Sequence, residues 1–142
     1  MVQFLSIDNM KSKTRNIKTQ IRELELKETD LRIRTKEIAK NVIILCRALP
    51  TNREGRLIGN QLFRSGTSVA ANYRAACRAR SKAEFISKIA IVEEESDETH
   101  FWLELIKEMK TLRHPNLDIL LVECNELLAI TVSSIKTVKK SI

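Results

Sequence analysis

A chain of 142 residues with 43% hydrophobic and 30% charged residues carries enough apolar material for one core, which excludes an intrinsically disordered protein. Aromatics at 4%, three Gly and two Pro leave too few β-formers and turn residues for a sandwich or barrel, so the class is all-α. The formal net charge of +7, with a pI of about 9.5, favours polyanionic partners and says nothing about the fold.

Residues 1–28 hold Lys11, Lys13, Arg15, Lys18 and Arg22 over a thin apolar pattern of Ile17, Ile21 and Leu24. They read as a basic N-terminal extension, either a continuation of the first helix or a loosely held arm. The opening "MVQFLSIDNMKSKTR" lacks an apolar stretch of signal-peptide length, and Asp8 interrupts it. The best apolar run, "NVIILC", is far too short for a bilayer. No membrane partner is expected, and the expected compartment is the cytoplasm.

Residues 29–142 read as one helical domain. Leu31, Ile38, Val42, Leu45 and Leu49 fall on an alternating four-three spacing with Thr35 as its polar member, and Pro50 ends this first helix. Thr51 and Glu54 form a capping box that predicts a second helix over Asn52–Arg80. Gly59 and Gly66 share a face that Ala70 continues, and each glycine costs about 1 kcal/mol relative to Ala unless a neighbouring helix approaches closely. Ser81 and Glu84 form a second capping box, so a sharp turn is expected there. The third helix turns Phe85, Ile89, Val92, Leu103 and Ile106 inward, with Ser96 and Thr99 inside the same stripe, and stops before Pro115. Asn116 is the expected cap of a fourth helix with Leu120, Cys124, Leu127, Thr131, Ile135 and Val138 inward. Short connections predict an antiparallel up-down-up-down four-helix bundle. Ile86, Phe101 and Trp102 lie off the inward stripe of helix three, so a second face needs burial and a homo-oligomer is expected.

Gln61, Arg64, Ser68 and Asn72 trace one polar stripe on helix two, opposite the acidic run "EEESDE" of helix three. An interhelical polar layer or a solvated face accounts for them. Glu93, Asp97 and His100 resemble half of a carboxylate-rich metal site, but the carboxylate-x-x-His spacing occurs once and His114 sits at a helix end, so no metal is expected. Cys46, Cys77 and Cys124 are odd in number and widely separated, which reads as packed thiols; a lowered Cys77 pKa beside arginines is the weaker reading. No nucleophile elbow, phosphate loop or Cys–His couple is present, so neither an enzyme nor a cofactor is expected. The better lead is basic. Arg74, Arg78 and Lys82 recur every fourth residue, with Arg80 and Lys88 nearby, and such a cluster contacts several phosphates. Tyr73 is isolated, so base stacking is not provided for and DNA or RNA binding would be weakly sequence-specific, helped by the basic N-terminal segment.

The run "GRLIGNQLFRSGTSVAANYRAACRARSKAEFISKIAIVEEESDETHFWLELI" resembles the four-helix bundle proteins known as 23S rRNA intervening sequence proteins. The likeness spans about Leu31 to Lys139. It is carried by Gln61, Arg64, Ser65, Ser68 and Asn72, and by the turn Arg80, Ser81, Glu84 and Phe85. Many members have a glutamate shortly after the Asn, where this chain has Ala75 preceded by Arg74. The resemblance implies antiparallel four-helix subunits assembled as a ring-like homopentamer, with no catalytic residues. A related branch comprises basic accessory proteins of diversity-generating retroelements, which bind nucleic acid and partner a reverse transcriptase. The expected function is therefore a non-enzymatic oligomeric module that binds nucleic acid. The alternative is a structural adaptor whose basic face meets an acidic protein or the Glu93–Glu98 run of a neighbouring subunit.

Overall fold

Helices occupy the chain where the apolar spacing places them: α1 Val2–Ala48, α2 Arg53–Cys77, α3 Lys82–Glu108 and α4 Pro115–Lys140. These come from a computed structural model that describes the backbone of residues 2–141 and the side chains of 10–23 and 30–141. Among the described residues there is no strand, and the protein is an all-α helical bundle. The chain divides into two compact units, residues 1–33 and 34–142. In the first, the side chains of residues 10–23 are exposed all round the helix. Leu24, which the sequence pattern adds to that segment, lies outside the described side chains.

The second unit holds the core. Ile38, Val42, Leu45 and Leu49 of α1 are buried with Leu62, Val69 and Tyr73 of α2, Ile89, Val92, Leu103 and Ile106 of α3, and Leu117, Leu120, Cys124 and Leu127 of α4. Phe85, Ile135 and Val138, expected inward, are half-buried; Phe85 and Val138 lie on the end turns of their helices, where fewer neighbours cover them. Neighbouring helices run antiparallel. Arg34 of α1 meets Glu123 of α4, and seven residues on, Asn41 meets Asn116, seven residues back. Arg64 with Glu98 and Lys107 with Asp118 show the same reversal for α2–α3 and α3–α4.

The turns correct three helix ends. Asn52, not Thr51, caps α2: its Oδ1 accepts the Gly55 N–H at 2.9 Å. The start shifts because Gly55 lies against the backbone of Pro50, where an added Cβ would stand 1.9 Å from the Pro50 carbonyl oxygen. Helix α2 stops at Cys77 rather than Arg80, since Ser81 must be extended (φ −149°, ψ 161°) to cap α3. Its Oγ accepts the Glu84 N–H at 3.1 Å, while the Glu84 carboxylate accepts the N–H of Arg80 rather than that of Ser81. His114 replaces Asn116 as the cap of α4, its Nδ1 accepting the Asn116 N–H at 3.1 Å with Pro115 in the first helical position, where a missing N–H is harmless.

Close packing of α1 on α2 follows from the glycines, as their shared face predicts. A Cβ on Gly66 would lie 2.7 and 2.8 Å from the two γ-carbons of Val42, a β-branched side chain with little freedom to move. Gly66→Ala is expected to destabilise the bundle by about 1–3 kcal/mol in chemical denaturation, and Val42→Ala in the same chain is expected to recover part of that loss. At the far end of α3, Lys110 holds φ 53° while its N–H bonds the Lys107 carbonyl and the Thr111 N–H bonds the Ile106 carbonyl, the pattern that favours glycine. Lys110→Gly should raise stability by about 1 kcal/mol in the same assay.

Candidate nucleic-acid interface

With Gly66 turned toward α1, its neighbour Ser65 faces α3, where its Oγ lies 3.0 Å from Thr99 Oγ1. Both are buried, and Thr99 also donates to the Glu95 carbonyl at 2.6 Å while Ser96 donates to that of Val92 at 2.6 Å. These hydroxyls are thereby satisfied inside the core, as burial of polar groups requires.

One residue earlier, Arg64 leaves the core and forks onto α3. Its Nη2 donates to Glu98 Oε1 at 2.6 Å and its Nη1 to Glu95 Oε1 at 3.2 Å; Glu98 also accepts from Trp102 Nε1 at 3.3 Å. The Arg64 hydrogen bond holds the Glu98 carboxyl below the usual carboxylate range, against a smaller opposing effect of partial burial. Asn72 donates to the carbonyl and the Oγ of Ser68, both at 2.9 Å. Gln61 is exposed. Of the polar stripe, Arg64, Ser65, Ser68 and Asn72 are thus engaged within the chain itself. Because the folded Glu98 binds its proton less readily than the unfolded one, its contribution is present above the ordinary carboxylate pKa and fades as pH falls through the depressed value. The stability curve of Arg64→Met should lack that part of the acid limb, measured by thermal melts between about pH 5 and pH 2.

The basic residues lie elsewhere. Arg74, Arg78, Arg80 and Lys82 are exposed and Lys88 half-buried, gathered where α2 ends and α3 begins. Among the described residues the side chains of Arg74, Arg78, Arg80 and Lys88 make no ion pair. Lys82 differs: its Nζ donates to the backbone carbonyl of Ser141 at 3.0 Å and to its Oγ at 3.2 Å, a cation set at the negative end of α4. This contact, across 59 residues of sequence, brings the last turns of α4 to the same end of the bundle. Exposed Lys136, Lys139 and Lys140 come with them. Reading the sequence locally misses these three lysines. The signal was available in the topology, because an antiparallel bundle places the end of α4 beside the start of α3. Glu84, the acid nearest the turn, spends its carboxylate on the Arg80 backbone.

His100 Nδ1 lies 3.2 Å from Glu104 of its own helix, and among the described residues no three His, Cys, Asp or Glu side chains gather as metal ligands would. The Cys46 thiol donates to the Gly59 carbonyl, and burial pushes its pKa up to about 11. Burial, then the neighbouring Glu123, pushes Cys124 up to about 12. Cys77 is half-buried. No helix among the described residues is long and apolar enough to cross a membrane.

An all-α bundle with the Gln61–Asn72 stripe and the Ser81 turn is the class of protein that these features define. The family model of the 23S rRNA-intervening sequence protein matches residues 27–133, and the chain belongs to that family. A solved structure from Bacteroides thetaiotaomicron VPI-5482, a protein with unknown function from the S23 ribosomal protein family, is similar to it at 30% identity and a TM-score of 0.70, over 78% of this chain and 98% of that one. No curated protein matches the chain.

Proposed function

We propose that the protein is a non-enzymatic, cytoplasmic module that binds DNA or RNA by phosphate contacts at the α2–α3 end of its bundle. The subunit is an up-down-up-down four-helix bundle in this reading, and copies assemble as a ring-like homo-oligomer, with five as the number its family resemblance implies. The observation that carries the reading is the contrast between arginines. Arg64 is held by Glu95 and Glu98, whereas Arg74, Arg78 and Arg80 stand exposed with no acidic partner among the described residues. Lys88, Lys136, Lys139 and Lys140 extend the cationic surface. No exposed aromatic lies among them, so the contacts would read phosphates rather than bases. A ring would repeat the surface and raise avidity without new contacts. Service to an RNA or reverse-transcription system, with a reverse transcriptase or another protein as partner, fits such a module.

A second reading is an adaptor whose basic face meets an acidic protein or an adjoining subunit, and it rests on Glu94 and Asp97, which are exposed on α3 and suit that basic face on a neighbouring copy. One variant separates the two. Under nucleic-acid binding, Arg74→Gln/Arg78→Gln keeps its oligomer size in light scattering and the slope of log K against log salt falls by about one unit per lost phosphate contact. A dissociated variant whose nucleic-acid binding is unaltered supports the adaptor instead.

A further inference from the structure

The first unit carries a feature that phosphate binding leaves unused. Met10, Thr14, Ile17 and Ile21 follow the alternating four-three spacing of a heptad seam, the same phase that reaches Thr35, Ile38, Val42, Leu45 and Leu49 later in α1. In the bundle the later set is buried. The earlier set is open, with Met10 65%, Ile17 56% and Ile21 50% exposed. Thr14 belongs with them, because its hydroxyl donates to the Met10 carbonyl at 2.8 Å and is spent on its own helix.

The flanks of this seam decide what covers it. With Thr14 and Ile21 at a, and Met10 and Ile17 at d, the e and g positions are Lys11, Lys13, Lys18 and Gln20, all exposed. Flanking charges select coiled-coil partners. In a parallel pair of this chain Lys13 would face the partner's Lys18, and in an antiparallel pair lysines at e would face lysines at e, so like charges oppose self-pairing. A membrane surface calls for a broad apolar face, whereas the apolar side chains here keep to the narrow a/d strip. Phosphates alone would leave the isoleucines in water. The charge pattern and the seam are both matched by one occupant, a helix with apolar a and d residues and carboxylates at e and g.

We propose that residues 10–21 are a coiled-coil docking seam for an acidic amphipathic helix of another protein. Residues 1–26 lie outside the span matched by the family model, so membership of the family does not rest on the seam.

The test uses the full chain and two synthetic four-heptad peptides with Ile and Leu at a and d, one with Glu and one with Lys at every e and g, titrated by fluorescence anisotropy. The Glu peptide is expected to bind at least about tenfold more tightly than the Lys peptide, because opposite charges meet along the seam. Ile17→Ser/Ile21→Ser should remove at least about tenfold of that affinity while circular dichroism of the bundle stays unchanged, since both side chains are exposed. Lys11→Glu/Lys18→Glu, a second variant that leaves the apolar seam whole, should reverse the preference toward the Lys peptide. Equal binding of both peptides, binding of neither, an indifferent serine variant, or self-association of the wild type that the serines abolish would each overturn the proposal.

Discussion

The approach of α2 to α1 at Gly66 and Val42 is the constraint on which the arrangement of side chains depends. A backbone that comes this near fixes the rotation of α2 about its own axis, since any other residue presented to Val42 would bring a Cβ into the same space. With that rotation set, Ser65 faces Thr99 and Arg64 reaches Glu95 and Glu98 on α3. The same rotation leaves Arg74 and Arg78 on the exposed side of the helix. A packing contact without charge therefore sorts the arginines of one helix into structural and available ones.

The sorting has an electrostatic consequence. The two carboxylates that hold Arg64 outweigh its single positive charge midway along the bundle, and an external polyanion would have to displace them to reach the guanidinium. At the α2–α3 turn the Glu84 carboxylate is committed to the Arg80 N–H, and among the described residues no acid pairs with the Arg74, Arg78 or Arg80 side chains. Cations drawn from three helices meet there. Lys82 is the exception within the group, since its ammonium group is shared with the C-terminal cap of α4 and serves the fold as much as any ligand.

Much of this architecture was legible in the residues. Helical periodicity gave the core positions of α1 and α3 almost in full, and Pro50, Ser81 and Pro115 marked where the helices break. The Gly59–Gly66 face announced a close helix contact. Local chemistry failed at the start of α2, where two adjacent residues could each cap and Asn52 prevailed over Thr51 with Gly55 packed against the Pro50 backbone, whereas Ser81 caps α3 as its capping box predicts. The basic cluster was legible only on α2 and α3. Its α4 members are remote in sequence, and only the antiparallel topology joins them. Nor could the run "EEESDE" reveal by itself that Glu95 and Glu98, rather than Glu93 or Glu94, are the carboxylates that hold Arg64.

On the proposed reading, one end of the bundle serves polyanions while the middle of α2 serves the fold. Amine-reactive footprinting of the full chain with and without a bound duplex, read residue by residue in mass spectrometry, tests this most directly. Protection of Lys88, Lys136, Lys139 and Lys140 is expected, with Lys40, Lys107 and Lys110 modified as in the free protein. Uniform protection, or protection confined to Lys40, Lys107 and Lys110, would contradict it.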